Sequence, residues 1–334
     1  MPMRIFVFEY LSATPAAADR SLCAQGWAML RALLADLALL HDVEPVTLVA
    51  APLLPAVADV SPRIRVREAP YDFLPQFRCL TAVADFTLVI APETDDRLYT
   101  FCRSVEESGG RLLGPSAEAV RRTSDKLTLA ELLAVNSIPT PTVAPLGAAG
   151  LTFPRVVKPR QGAGSAATFL VRNEEELAAC PGRARSEGCA AALIQQPYAG
   201  GRAASVALLV GESGAFVLPA AEQTLSDDGQ FRYRGGRLPL AVDLDLRARS
   251  LAELVVAAVP GLRGYVGIDL VLGPPDVVIE INARLTTSYV GLRRLARFNL
   301  AEALLAVASG GRPPAWEWGT GEVVFSASGA ARCC

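Results

Sequence analysis

The 334-residue sequence predicts an α/β protein: a parallel-sheet N-terminal domain followed by a two-lobed α+β unit. Three observations predict it. Up to about residue 115, short apolar runs alternate with amphipathic stretches, as in a parallel sheet covered by helices. The next region holds one helix, the proline-marked connection IPTPTVAP and a glycine-interrupted hairpin. Beyond about residue 190 strands dominate, and two of the most apolar, YVGIDLVL and VVIEI, flank the turn GPPD. The expected divisions are 1–115 for the N-terminal domain, 116–188 for a small lobe, 189–318 for a large lobe and 319–334 for a tail whose final SASGAARCC reads as frayed.

In the first region, strands are expected at Arg4–Phe8, Val46–Val49, Thr87–Ile90 and Arg111–Leu113. Between the first two, SLCAQGWAMLRALLADLALL places Leu22, Met29, Leu30, Leu33, Leu37 and Leu40 on one broad helical face. No GxGxxG follows the first strand, so a dinucleotide fingerprint is absent. Ligands of open α/β sheets gather at the carboxyl ends of strands, which draws attention to Glu9, Tyr10 and Glu93. Of these, Glu93 reads as an ordinary loop residue.

Composition narrows the function. A net charge of -2 leaves no nucleic-acid footprint, and no uncharged run is long enough to span a bilayer. The opening MPMRIFVFEYL reads as a strand and not a signal peptide, because Glu9 interrupts it and no small-residue cleavage site follows. Seven scattered cysteines without a CxxC pair fit a reduced compartment, so a cytoplasmic protein is expected. A single histidine, His41, argues against a Ser-His-Asp triad or a histidine-rich metal site.

In the second region a helix is expected from Asp125 to Val135 with Ser124 as its N-cap. Lys126 then sits in the first turn, where the helix dipole disfavours a cation unless an anion is held there. The hairpin reads FPRVVKP, RQGAGS, AATFLV. Lys158 shares a strand face with Val156, and the Gly162-Ala-Gly-Ser165 turn is free to present backbone N–H groups to an anion.

The third region holds the sharpest feature. If Leu272 pairs with Val277 across Gly273–Asp276, Asp269 falls opposite Glu280, with Asn282 on the same face and Ile268, Leu270, Ile279 and Ile281 on the other. Carboxylates about 5 Å apart repel by about 3 kcal/mol at an effective dielectric near 20. A shared proton or a bridging cation relieves that, and the neutral Asn oxygen favours a hard cation such as Mg²⁺. Arg284, two residues on, suits an anionic group that the metals also touch. Further strands are expected at Ala191–Gln195, Ser205–Val210 and Ala215–Leu218, with helices near Leu246–Val259 and Leu300–Ala308. The Tyr233-Arg-Gly-Gly236 stretch reads equally as a mobile cover over the site or as turn-forming glycine.

In this order, DK at 125–126, VVKP at 156–159, the GAGS loop, QQPY at 195–198, GIDLVL and EINAR make the chain resemble the ATP-grasp ligases over about residues 115 to 310. The resemblance implies two lobes that clamp ATP, with Lys126 and Lys158 on its phosphates. Gly162, Gly164 and Ser165 would close over them, and Gln195, Gln196 and Tyr198 would form the hinge beside adenine. Asp269, Glu280 and Asn282 would hold two Mg²⁺ or Mn²⁺ ions, and Arg284 would stabilise an acyl phosphate formed from a carboxylate. Two departures stand out: glutamines at 195 and 196 where many relatives carry acids, and Ala203 where relatives often carry Asp.

FVFEY, SLCAQGWAMLRAL and NARLTTSYVGLRR are similar, more narrowly, to the tyramine-glutamate ligases of methanofuran-type cofactor biosynthesis. That resemblance implies the small-molecule substrates L-glutamate and tyramine, with Arg284, Thr286, Thr287 and Ser288 at the acceptor end and Glu9 or Tyr10 reaching in from the N-terminal domain. Two other readings stay open: a ligase for another amino acid or peptide, and a non-catalytic nucleotide-binding regulatory protein.

Overall fold

The structure is a computed structural model that describes residues 1–14, 19–314 and 316–333. Its first sheet is parallel and four-stranded, in the order Arg65–Glu68, Val43–Val49, Met3–Glu9, Phe86–Ile90. The strand expected at Arg111–Leu113 amounts to a single parallel bridge between Leu112 and Thr87. Helix Arg20–Ala38 connects the two central strands, and Asp19 caps it by accepting from the Ser21 and Leu22 N–H groups. Met29, Leu30, Leu33 and Leu37 are buried as the periodicity predicts, whereas Leu40 lies beyond the helix end.

The second sheet is antiparallel, in the order Ala144–Pro145, Leu193–Pro197, Arg155–Pro159, Phe169–Val171. Leu193–Pro197, expected to open the large lobe, pairs instead with the Lys158 strand. Ahead of this sheet stand two helices where one was expected, Ala117–Ser124 and Lys126–Val135. The residue between them, Asp125, and not Ser124, caps the second by accepting from the Leu127 and Thr128 N–H groups. Ser124 is still helical and turns its hydroxyl back onto the Val120 carbonyl.

The third sheet has eight strands. Gly264–Leu272 lies between Val277–Asn282 and Arg202–Gly211, and the sheet continues through Ala221–Leu225, Tyr233–Leu238, Val323–Ser326 and Ala331–Cys333. Gly214–Val217 pairs with the Arg202–Gly211 strand as well. Helix Val242–Ala258 packs on one side, while Ser288–Leu295 and Leu300–Ala308 lie toward helix Arg20–Ala38. With both faces covered, the central strands read as near-continuous apolar runs.

Two expectations are corrected here. Tyr233-Arg-Gly-Gly236 is a paired strand and not a cover: a Cβ on Gly235 would lie 2.1 Å from the Phe325 carbonyl oxygen, and one on Gly236 2.9 Å from the Phe325 ring. Those glycines admit the C-terminal strand. The final SASGAARCC is not frayed where it is described, since Ala331–Cys333 pairs with Val323–Ser326, which in turn pairs with Tyr233–Leu238. Cys334 lies outside the described residues.

The N-terminal domain is fastened to the third sheet's helices through one buried carboxylate. Asp36 accepts from the Tyr289 hydroxyl at 2.7 Å and from Arg293 Nε at 2.9 Å, and its carbonyl accepts from Asn299 Nδ2 at 2.8 Å. Removing one member of a buried ion pair leaves the other without compensation. Asp36→Ala is therefore expected to lower unfolding stability by about 3 kcal/mol, read from the urea midpoint and slope. A change under about 0.5 kcal/mol, the scale of an ordinary surface substitution, would show the fastening to be incidental.

Candidate active site

Between the second and third sheets, under the edge of helix Arg20–Ala38, lies an open cleft of about 1350 Å³, solvent at its mouth included. Its floor is the hairpin of Gly264–Leu272 and Val277–Asn282. Asp269 pairs with Glu280 and Gly267 with Asn282, as the sequence predicts, but Val271 and not Leu272 pairs with Val277. A bulge between Asp269 and Leu270 absorbs the extra residue. It also breaks the expected alternation on the second strand: Ile279, assigned to the far face, lines the cleft, whereas Ile268, Leu270 and Ile281 pack together in the core as expected.

Asp269 accepts from Gln223 Nε2 and Asn282 Nδ2, each at 2.9 Å, and from Ser205. Burial, and then the neighbouring Glu280, push its carboxyl up to about 6. Burial acts on Glu280 in the same sense, yet Lys126, Lys158 and Arg284 together hold it below the usual carboxylate range. Lys126 Nζ lies 3.6 Å from Glu280 and 3.4 Å from the Gly162 carbonyl, which ties the second helix of the small lobe to both the floor and the glycine loop. Lys158 is buried, and desolvation, with Lys126 adding to it, lowers its ammonium to about 8.

Arg284 is committed more tightly than the sequence suggests. Its Nε and Nη2 grip the buried Glu93 at 2.8 and 3.1 Å, Nη2 also reaches Asn282 Oδ1 at 3.2 Å, and Nη1 donates to the Leu285 carbonyl. Among the described residues, four of its five N–H groups are thus engaged and one is left for a ligand. Glu93, expected to be an ordinary loop residue, is the counter-ion that fixes this guanidinium, and its position past the end of strand Phe86–Ile90 was the available signal.

The glycine loop arches over the other end. Gly164 has φ +67°, and a Cβ there would lie 2.5 Å from Leu22 of the N-terminal helix, so the loop touches that helix where only glycine fits. Ser165 spends its hydroxyl on the Phe231 carbonyl, and the Phe231 ring stacks on Tyr198 at 6.0 Å. Strand parity divides the hinge. Gln196 and Tyr198 line the cleft, whereas Gln195 points away and bonds the Pro145 and Ala148 carbonyls and Arg155.

Of the acceptor-end residues, Thr286, Thr287 and Ser288 line the cleft. Thr286 and Ser288 form a hydroxyl cluster with Tyr265, and Thr287 bonds Tyr233. Glu9 and Tyr10 are not among the lining. Glu9 is fully buried and caps the turn Tyr10–Ala13 through the Leu11 and Ser12 N–H groups, while burial pushes its carboxyl up to about 7. Tyr10 packs among Phe73 and Phe101 under Arg97. The cleft gains lining residues to which the sequence assigned no site role: Gln25 and Met29, which lie inside SLCAQGWAMLRAL on the N-terminal helix, and Gln223 from a strand whose polar sequence hides it; Tyr233 joins them.

The donor set at the floor fits a hard divalent cation. It consists of two carboxylates and an amide carbonyl, and the repulsion that raises Asp269 is the charge deficit a cation would fill. Among the described residues no group of three or more His, Cys, Asp or Glu side chains could hold a metal unaided. That suits Mg²⁺, which is bound through one or two carboxylates and completed by substrate phosphates and water.

A cleft between a small and a larger antiparallel sheet, floored by acids and flanked by two lysines under a glycine loop, defines an ATP-grasp protein. Family models agree: residues 123–288 match the ATP-grasp domain and residues 45–120 the pre ATP-grasp 3 domain. Among curated proteins the chain is similar to the tyramine–L-glutamate ligase of Methanocaldococcus fervens, 28% identical over 224 residues that make up 66% of this chain and 65% of that one. It is similar also to the enzyme of the same name from Methanocaldococcus jannaschii, at 28% over 225 residues, 66% of this chain and 62% of that one. The match thus spans a little under two thirds of each relative's length. Among solved structures, an ATP-grasp superfamily protein from Archaeoglobus fulgidus superposes with a TM-score of 0.74 at 25% identity, covering 96% of this chain and 92% of that one. Biotin carboxylase from Campylobacter jejuni, at 16% identity and a TM-score of 0.74, shares the fold over 96% of this chain and 74% of its own.

The lowered Lys158 sets a pH dependence. In the ligand-free protein its cation is lost as pH rises through about 8, which bears on ligand affinity if Lys158 holds a polyphosphate. ADP affinity measured by calorimetry is expected to fall above pH 8, approaching tenfold per unit, and to lose this dependence in Lys158→Met. Affinity that stays flat to pH 9.5 in the unsubstituted protein would place Lys158 away from the phosphates.

Proposed function

We propose that the protein is an ATP-dependent carboxylate–amine ligase that forms an amide through an acyl phosphate, joining the γ-carboxylate of L-glutamate to the amine of tyramine in the cytoplasm. The observation that carries the reading is the convergence of Lys126, Lys158 and Arg284 on Asp269, Glu280 and Asn282 in one cleft. The similarity to two tyramine–L-glutamate ligases supports the choice of substrates.

The reaction asks for positioning and charge. A carboxylate oxygen attacks the γ-phosphorus of ATP and ADP leaves; the amine nitrogen then attacks the acyl carbon and phosphate leaves. Lys126 and Lys158 hold phosphate oxygens and offset the charge that spreads over the transferring group. The glycine loop covers that group and excludes water. Asp269, Glu280 and Asn282 would hold Mg²⁺, or Mn²⁺, which when bound adds positive charge at the phosphate oxygens and relieves the repulsion between the two acids. Arg284, locked by Glu93, aims its one remaining N–H at the anion formed beside the floor. No side-chain nucleophile is needed, and the single histidine, His41, is exposed on a turn outside the cleft.

ADP and phosphate are expected to appear only when glutamate and tyramine are both present, to cease on addition of EDTA and to return with excess Mg²⁺. Glu280→Ala is expected to lower kcat by about 100-fold or more, in line with losing one electrostatic element of an active site. Unchanged turnover in Glu280→Ala would remove the metal assignment. Absence of ATP cleavage across a broad panel of acids and amines would leave the nucleotide-binding regulatory reading, and an amide of different mass would name other substrates.

A further inference from the structure

We infer that Gln25 and Met29, carried by helix Arg20–Ala38 of the N-terminal domain, select the amine substrate, and that they fit an arylalkyl amine with a hydroxyl at the far end of its ring. The inference rests on the ligase reading and gives a role to two residues that were assigned none. Both side chains line the cleft, as do Thr287 and Tyr233. Four residues apart on one helix, they present neighbouring positions about 5–6 Å apart between Cβ atoms, the scale of one aromatic ring.

The helix that carries them is held rigidly at three points. Gly26 lies against the Glu9 carboxylate, where a Cβ would come within 2.5 Å of Glu9 Oε1. Leu22 meets Gly164 of the glycine loop, and Asp36 is bonded to Tyr289 and Arg293. A wall held this way discriminates by shape instead of yielding to each ligand.

Its chemistry is half apolar and half polar. Met29 is 6% exposed and offers a thioether, which makes favourable contacts with the edges of aromatic rings. Gln25 is partly exposed, and among the described residues its amide makes one long contact, 3.4 Å from Nε2 to Ser21 Oγ, which leaves its carbonyl oxygen to accept from a hydroxyl. The cations of the cleft, Lys126, Lys158 and Arg284, belong to other elements. This wall therefore suits a neutral ring with a polar tip better than an acid. A hydroxyl-free amine would leave the Gln25 amide covered and unpaired.

The test compares kcat/KM for tyramine and for phenethylamine, which lacks only the hydroxyl, at saturating ATP and glutamate. The protein is expected to prefer tyramine by about tenfold or more, and Gln25→Leu to bring the ratio to within about threefold of one, because a hydrogen-bonding site discriminates against the analogue that lacks its partner. Met29→Ala is expected to raise KM for both amines while KM for ATP stays within about twofold, since a selecting residue acts on the substrate it touches. If either variant fails to fold, Gln25→Met, which keeps the side-chain length and removes the acceptor, reads the same ratio, and Met29→Val, which shortens the wall, reads the same KM split. An unchanged ratio in the Gln25 variant overturns the inference, as does a protein that couples only non-aromatic amines, and either leaves the ligase reading standing. A protein that couples no amine to any acid overturns both.

Discussion

Two carboxylates set opposite each other across a β-ladder repel by about 3 kcal/mol even at an effective dielectric near 20, and much of this molecule answers that repulsion. Asp269 takes three hydrogen bonds and still stays raised toward neutrality, while Glu280 stays ionised only because Lys126, Lys158 and Arg284 face it. These elements come from distant parts of the chain: a helix start, a strand of the second sheet and the residue two beyond Asn282. None of the three cations is fully satisfied by the floor it serves. The arrangement keeps positive charge in reserve for an anion, while the acids keep negative charge in reserve for a cation. A cleft that holds both reserves side by side is suited to a polyphosphate bound together with a divalent metal.

The N-terminal domain completes the site by holding its parts. Glu93 fixes the plane of Arg284, Leu22 supports the glycine loop at Gly164, and Asp36 ties the long helix to Tyr289 and Arg293, just past the Thr287–Ser288 edge of the cleft. Each contact crosses from the first sheet's layer to another. Glu9 belongs to the same system at one remove: buried against Gly26, it fixes the helix that presents Gln25 and Met29 and takes no part in the lining. A carboxylate at the end of a first strand drew attention as a ligand, and its service is to the scaffold.

What was legible in the sequence follows from the range of the interactions concerned. The hairpin could be read because a two-residue period and a turn place Asp269 against Glu280 through neighbouring backbone alone. Lys126, Lys158 and the glycine loop were likewise marked by their local setting. Three things were not local. The bulge that brings Ile279 into the cleft depends on how the hairpin meets the Arg202–Gly211 strand. The parity that sends Gln195 to the Pro145 and Ala148 carbonyls and Gln196 to the cleft depends on which face of the second sheet closes on the third. The strands Ala221–Leu225 and Tyr233–Leu238 lack an apolar alternation because one face meets the cleft and the other meets Phe325 through glycine. Long-range partners such as Glu93 for Arg284, 191 residues apart, leave no periodic trace at all.

Arg284 shows why this last kind of contact decides chemistry. A lysine there would be a mobile point charge, able to collapse onto Glu280 or Asp269 and cancel the charge on which a metal depends. The planar guanidinium is held off the floor by the bidentate grip of Glu93 and reaches the acids only through Asn282 Oδ1. Its charge is thereby half neutralised from behind, and its direction is fixed in front. One uncommitted N–H is little for binding an anion in the ground state, yet enough to strengthen as negative charge grows on a single oxygen. Catalysis needs that difference and not tight binding as such. The sequence places Arg284 beside the metal-type residues, and the fold, through Glu93, decides how much of its charge the site can use.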